Sequence, residues 1–372
     1  MSRPIRIAGA GPSGLAAAIV LARAGVPVEV FERRTVCGAR FGGDLQGLEN
    51  WSPGPDALEE FRALGIATDF YAAPCTRGIQ TDGDRDDVFT FAAPAFYLVK
   101  RGDVPGSLDR ALCAQAQDLG VPIHFGTPCP DGTADIEATG PRGRAPFAID
   151  TGIVFETDAP DMAVSLLNDE VAPGGYAYLL ITNGYGCCCT MLFRDFPTIH
   201  DCFRRTRERL IDARGITVRN PQTVGGLGHV QPRGQWLTGD ARRVGEAAGL
   251  QDFLWGFGIR MAVRSGVLAA QSILAGTPYA RAAESRFGPA LRVGVVNRWL
   301  WELAGGGRYT LIRAALRGLG PMRVLRALHR EQWFHRLLLP MSTPPLRQRY
   351  PAVFSSASRR APSASAPDAS TA

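Results

Sequence analysis

The sequence predicts an α/β fold in three parts: a parallel βαβ lobe, a lobe of antiparallel β-sheet, and a helical C-terminal region. Three observations predict it. A short apolar run at 5–8 passes through Gly9-Ala10-Gly11-Pro12-Ser13-Gly14 into a helix of small residues and on to a second apolar run at 28–31. Apolar and polar residues alternate through 147–190, in FAIDTGIVFE, YAYLLI and CCCTMLF. Beyond Pro278 the spacing is helical to about Leu339.

Taken in order, 5–8 is a buried strand, 14–24 a helix and 28–31 a second strand. FGGDLQGLENW then reads as a turn-rich region, 56–64 as a helix, 89–99 as one strand and 107–119 as an amphipathic helix. A strand follows at 121–125, and another at 134–140 ends in a tight turn. After the alternating stretch come a helix at 203–213, a short strand at 242–244 and a long helix at 259–274. The Ser, Ala and Pro-rich end from 355 carries too little apolar surface to fold.

The chain of 372 residues exceeds one small core and suits two lobes. Its net charge of +6 is carried almost wholly by arginine, Lys100 being the single lysine, and nothing in this bias marks a nucleic-acid surface. None of the eight cysteines forms a CxxC pair, and the five histidines are scattered, so no metal site is expected. Free cysteines fit a reducing, cytoplasmic setting. No signal peptide and no transmembrane helix are expected, because no run of about 18 apolar residues occurs.

The glycines of GAGPSG have separate tasks. Gly9 allows the tight turn, Gly11 lets the backbone approach a pyrophosphate, and Gly14 lets helix and strand pack. Pro12 and Ser13 open the helix, whose unpaired N–H groups favour an anion. Glu32 lies 18 residues beyond Gly14, at the end of the second strand, where a carboxylate binds a ribose and repels a 2′-phosphate. Arg33 counts among the cofactor-side candidates, although it and Arg34 equally suit a solvated surface. These features define a Rossmann-type dinucleotide lobe.

A second motif far downstream selects FAD over NAD. Gly245-Glu246-Ala247-Ala248-Gly249 precedes Leu254-Trp255-Gly256-Phe257-Gly258 and the long helix. Glu246 can accept hydrogen bonds from ribityl hydroxyls. Backbone N–H groups from Gly256 to Gly258 can face the charge that develops on a reduced flavin. The other reading is a capping turn built on Asp252.

These two stretches, GAGPSGLAAAIVLARAGVPVEVFER and VGEAAGLQDFLWGFGIRMAVRSGVLAA, resemble the geranylgeranyl reductase-like branch of FAD-dependent oxidoreductases, within the larger group that includes para-hydroxybenzoate hydroxylase. Glu246 stands where the family has Asp in G-D-A-A-G; Gly239-Asp240-Ala241 is a second match whose continuation fits less well. Lys100-Arg101 resembles the family segment whose arginine lies beside FAD, which makes Arg101 a cofactor candidate. The Asp-Gly motif of flavin hydroxylases is missing at Ala138-Thr139-Gly140-Pro141, and the reductases' Y-x-W-x-F-P strand is matched only at Tyr176 and Tyr178.

The resemblance implies an FAD-dependent oxidoreductase that reduces or oxidises a C=C bond of an apolar, prenyl-like or lipid-like substrate. Its electrons would come from NAD(P)H or a reduced protein. The alternatives are a flavin monooxygenase or halogenase, and a non-catalytic flavin-binding protein. Tyr176 and Tyr178 share a strand face and are candidates for proton donation, set against core packing. Cys37 lies near the expected flavin but equally suits a buried inert thiol. Trp255 and Phe257 can line a substrate cavity or pack the helix start. The C-terminal helices carry Arg313, Arg317, Arg323, Arg326, Arg330 and Arg336 among apolar residues, which suits either peripheral membrane contact or packing on the protein with solvated arginines. The expected division is FAD binding by 1–60, 95–146 and 225–276, a substrate lobe of 61–94 and 147–224, a helical region of 277–350 and a tail of 351–372.

Overall fold

The computed structural model describes residues 3–141 and 146–354. The opening βαβ unit forms. Strand Ile5–Ala8 pairs in parallel with Val28–Glu32, and helix Pro12–Arg23 joins them. They belong to a six-stranded sheet in the order Leu237–Thr238, Ala241–Arg243, Ile136–Glu137, Ile5–Ala8, Val28–Glu32, Ile123–Phe125. Only the first pair is antiparallel. Helix Ile259–Leu274 packs on helix Pro12–Arg23 so closely that a Cβ on Gly266 would lie 1.9 Å from the Ser13 carbonyl oxygen. This contact brings the middle of a late helix against the start of the first.

A seven-stranded sheet runs Arg219–Gly228, Ala148–Glu156, Tyr185–Leu192, Tyr176–Thr182, Met162–Leu166, Arg77–Thr81, Asp86–Thr90. All pairs are antiparallel except Met162–Leu166 with Arg77–Thr81. Its two faces separate by alternation. Ile153, Phe155, Leu179, Ile181, Cys188 and Leu192 pack with Cys202 and Leu210 of helix Ile199–Leu210. Val154, Leu180, Cys187 and Cys189 face the other way, toward a three-stranded sheet of Gly42–Glu49, Phe96–Gly102 and Ala72–Cys75.

Three expectations need correction, and one strand was not foreseen. FGGDLQGLENW is not a run of turns but contains strand Gly42–Glu49; its glycines hide the strand pattern, and a bulge falls between Gly42 and Leu45. The single strand at 89–99 is two strands, Asp86–Thr90 and Phe96–Gly102, which belong to different sheets. Pro94, which has no N–H to give a ladder, sits in the break. The helix placed at 203–213 starts earlier, at Ile199, and ends at Leu210. Strand Arg219–Gly228 carried no signal, since Gly225, Gly226 and Gly228 have little strand propensity.

The C-terminal region is helical, in Tyr279–Leu303, Arg308–Leu319, Pro321–His329, Trp333–Arg349 and Pro351–Phe354. The final turn extends into the tail expected to lack a fold, and the rest of that tail, from 355, lies outside the described residues. No described helix is long and apolar enough to cross a membrane.

Candidate functional site

A cavity of about 840 Å³ runs between the sheets and the C-terminal helices. One wall is the dinucleotide loop. Gly9, Gly11, Pro12, Ser13, Glu32 and Arg33 line it. A Cβ on Gly9 would lie 2.3 Å from the Ala138 carbonyl oxygen, and one on Gly14 2.0 Å from that of Gly9, so both glycines permit backbone contact. Gly14 itself is buried behind the loop and does not line the cavity. A Cβ on Gly11 would meet no protein atom within 4 Å. The space that its missing side chain leaves is cavity, the shape expected where a phosphate approaches the backbone. Gly11 caps helix Pro12–Arg23 without a side-chain hydrogen bond, which leaves first-turn N–H groups for an anion.

Glu32 is fixed by its own loop. One oxygen accepts from the Ala10 N–H at 2.9 Å and the other from the Arg34 N–H at 2.9 Å. Each keeps a further lone pair for a ribose hydroxyl. Arg33 is exposed at the cavity edge.

The second motif reaches the same cavity. Glu246, Gly256, Phe257 and Gly258 line it, whereas Gly245 does not. A Cβ on Gly245 would lie 2.6 Å from the Ser13 hydroxyl, so this glycine serves contact between the two motifs rather than a ligand. Asp240, from the second G-D-A match, sits in an exposed turn at the sheet edge. The turn after Glu246 is tied by Asp252, whose carboxylate accepts from the N–H groups of Leu254 at 3.2 Å and Trp255 at 2.6 Å. Gly256, at φ +84°, donates its N–H to the Asp252 carbonyl at 2.9 Å, so that amide is not bare as expected. Phe257 and Gly258 N–H groups have no acceptor among the described residues, and no side chain caps the helix at Gly258.

Arg40 was missed by sequence reasoning because it sits in the segment read as turns. Its guanidinium donates to Glu246 at 2.7 Å and to the Leu227 carbonyl. Arg101 lines the cavity but is held by the chain: it pairs in two places with Asp109, at 2.8 and 3.1 Å, donates to Gln46 at 2.8 Å and stacks 4.2 Å from the Phe41 ring. Its charge is therefore matched internally.

The floor beyond is the open face of the seven-stranded sheet. Tyr176, Tyr178, Met191, Ser165, Gln80 and Asp150 stand on it. Tyr176 donates to the Trp255 carbonyl at 2.6 Å, tying the floor to the turn. Burial drives the pKa of both tyrosines well up, so they hold their protons. The roof is formed by Ile312, Leu316, Val324, Leu325 and Leu328 of the C-terminal helices, with Trp51, Phe257 and Trp255 at one side. Trp255 and Phe257 thus line the cavity; Phe257 also packs 4.7 Å from Trp51 and over Gly47.

Cys37 is buried, outside the cavity lining, and a hydrogen bond with Cys113 together with burial raises its pKa far above the thiol range. Cys187, Cys188 and Cys189 are all buried free thiols. Among the described residues, no group of three or more His, Cys, Asp or Glu is placed to hold a metal ion. On the roof helices, Arg313 and Arg317 pair with Asp82 and Asp87 of the Arg77–Thr81/Asp86–Thr90 hairpin.

The fold and site define a protein with a Rossmann-type dinucleotide lobe, and its residues fit FAD. A family model described as an NAD(P)-binding Rossmann-like domain matches residues 7–44. No curated protein matches the chain in sequence. Solved structures match over nearly all of it. A geranylgeranyl bacteriochlorophyll reductase-like protein from Thermoplasma acidophilum is similar at TM-score 0.64 and 18% identity, over 94% of this chain and 99% of that one. A flavin-dependent brominase matches at TM-score 0.63 and 15% identity, over 93% and 99%. The p-nitrophenol 4-monooxygenase of Pseudomonas putida matches at TM-score 0.59 and 15% identity, over 89% and 99%. The chain therefore has the fold of the FAD-dependent oxidoreductases.

Proposed function

We propose that the chain is an FAD-dependent oxidoreductase that reduces a C=C bond of a neutral, apolar, prenyl-like substrate. One observation carries this reading. A single cavity joins a dinucleotide wall to an apolar chamber, and its lining arginines, Arg33, Arg34, Arg40 and Arg101, all belong to the dinucleotide end. A chamber floored by tyrosines and roofed by leucines suits hydrocarbon better than a phosphorylated group.

In this reading the loop from Gly9 to Ser13 holds the pyrophosphate, Glu32 the adenosine ribose, and Arg40 with Glu246 the middle of the cofactor. The Gly256–Gly258 turn supports the flavin ring. Bound FAD would supply two-electron chemistry, reduced by hydride from NAD(P)H or by two electrons from a reduced protein with a proton from solvent, and able to pass a hydride to substrate. The chain's own part is to exclude water under the roof helices, orient the substrate on the sheet and provide a proton. Tyr176 suits positioning more than proton donation, since its hydroxyl is already committed to Trp255. The similarity to a reductase-like protein supports reduction, and the similarity to a brominase and a monooxygenase supports oxygen chemistry on the same fold.

The test is an absorbance spectrum and acid release of cofactor, followed by anaerobic mixing of dithionite-reduced protein with geranylgeraniol. Flavin reoxidation with formation of a more saturated alcohol is expected. Oxygen uptake that depends on an aromatic substrate, without such reoxidation, transfers the assignment to monooxygenase or halogenase. A colourless protein that takes up no FAD overturns both.

A further inference from the structure

Asp150 breaks the apolar alternation of strand Ala148–Glu156 on the face that floors the chamber. Its neighbours in register are Gly226 on one side and Met191 on the other, with Tyr176 beyond Met191. The carboxyl oxygen lies 2.9 Å from where a Cβ on Gly226 would be, so glycine at 226 leaves it room. The side chain has no ion-pair partner among the described residues. The charged groups that face it are Asp44 and Arg40, and the titratable ones Tyr176, Tyr178 and Cys189. Arg40 is occupied by Glu246 and the Leu227 carbonyl. Helix Ile199–Leu210 packs on the opposite face of the sheet.

A carboxyl on a largely apolar wall, with no cation paired to it and only the Gly226 backbone to hydrogen-bond it, weakens the fold, and packing does not explain it. Of the carboxyls that line the cavity, Glu32, Glu246 and Asp109 belong to the dinucleotide end, which leaves Asp150 alone in the chamber. We propose that Asp150 is the acid that protonates the substrate, a role that rests on the reductase reading above. The C=C π bond is replaced by two C–H bonds. The hydride, with both electrons, comes from reduced FAD, which is thereby oxidised. The proton comes from the Asp150 carboxyl, which is left as carboxylate and recovers its proton from solvent. Burial, with the negative charge of Asp44 adding to it, holds the Asp150 pKa up to about 6, so about a tenth is protonated at pH 7 and about half at pH 6.

The test uses Asp150→Asn in two measurements. In the first, geranylgeraniol binding is followed by tryptophan fluorescence from pH 5 to pH 8, with no electron donor present. A neutral hydrocarbon that covers the carboxyl favours its protonated form, so wild-type affinity is highest below the free-protein pKa. It falls above that pH by at most about tenfold per pH unit. The variant shows no such fall. In the second, dithionite-reduced holoprotein is reoxidised anaerobically by geranylgeraniol. The variant is slower by about 10²–10⁴-fold, with FAD content and dithionite reduction unchanged. A variant that matches wild type in both rate and pH profile overturns the assignment while leaving the reductase reading intact. A wild type that binds geranylgeraniol but is never reoxidised overturns the reductase reading, and Asp150 as its acid falls with it. Geranylgeraniol that binds neither protein overturns both.

Discussion

Gly11→Ala separates cofactor binding from folding. The added Cβ meets no protein atom within 4 Å, and Gly11 already has φ −83°, a value open to alanine. The protein cost is therefore confined to a cap position, at about 1 kcal/mol or less. The cofactor cost is larger, because the methyl occupies the space through which a pyrophosphate reaches the helix N-terminus. If two backbone hydrogen bonds to the charged phosphates are lost, at about 1.5–3 kcal/mol each, FAD affinity falls by a factor on the order of 10² to 10⁴. Flavin-to-protein absorbance after gel filtration and FAD titration of the stripped protein measure the loss. Thermal unfolding of the stripped protein measures the fold. Gly14→Ala is the contrasting control, since its Cβ would lie 2.0 Å from the Gly9 carbonyl oxygen, and it loses stability outright. A Gly11→Ala protein that keeps wild-type FAD affinity would falsify the placement of the pyrophosphate.

Three further outcomes are expected. Glu32→Ala weakens FAD binding by about tenfold, the worth of a charged hydrogen bond to ribose, as read by FAD titration; unchanged affinity removes the ribose role. Glu60→Gln destabilises by about 3 kcal/mol in urea unfolding, because fully buried Arg260 and mostly buried Arg264 both pair with Glu60 and would be left without its charge. Those arginines hold the Glu60 pKa below its usual value, so this stability is present at neutral pH and lost on acidification through the lowered pKa. Asp150→Asn acts in the opposite sense: the folded-state pKa of about 6 exceeds the unfolded value of 3.8, so ionisation penalises the native state as pH rises through that interval. Above it the variant is more stable than wild type by about 3 kcal/mol, and below pH 4 the two converge.

The dinucleotide lobe was legible because its signals are local. A strand, a glycine turn, a helix and a carboxylate at the next strand end lie within one short segment, and each has a backbone reason for its residue type. The downstream turn was legible as a segment but not in its wiring: Asp252, rather than a ligand, takes up the Gly256 region's first amide, and Gly245 answers to Ser13. Gln46 was missed because Gly42, Gly43 and Gly47 mask strand Gly42–Glu49, though Gly47 is what admits the Phe257 ring, and Arg40 because it lies in the turn just before that strand. Asp150 did leave a signal, as the polar residue on the apolar side of FAIDTGIVFE. Which side faces a cavity depends on Gly226, a partner 76 residues away in a strand that has almost no pattern of its own.

The C-terminal helices show how composition underdetermines placement. Their arginines among leucines suit a membrane surface or a protein surface equally in sequence. In the fold, Arg313 and Arg317 are drawn to Asp82 and Asp87, and Arg336 to Glu331. The positive face is thus partly neutralised by the chain's own carboxylates. The same pairing turns Ile312 and Leu316 of helix Arg308–Leu319 inward, onto the chamber. The ion pairs join the roof to the hairpin Arg77–Thr81/Asp86–Thr90 at the far edge of the seven-stranded sheet, opposite the strand that carries Gly226. In the proposed reading, a hydrocarbon in the chamber lies between a floor set by strand register and a roof held by surface charge. The roof is the part that salt can loosen, since Arg317 is exposed while Asp87 beneath it is not.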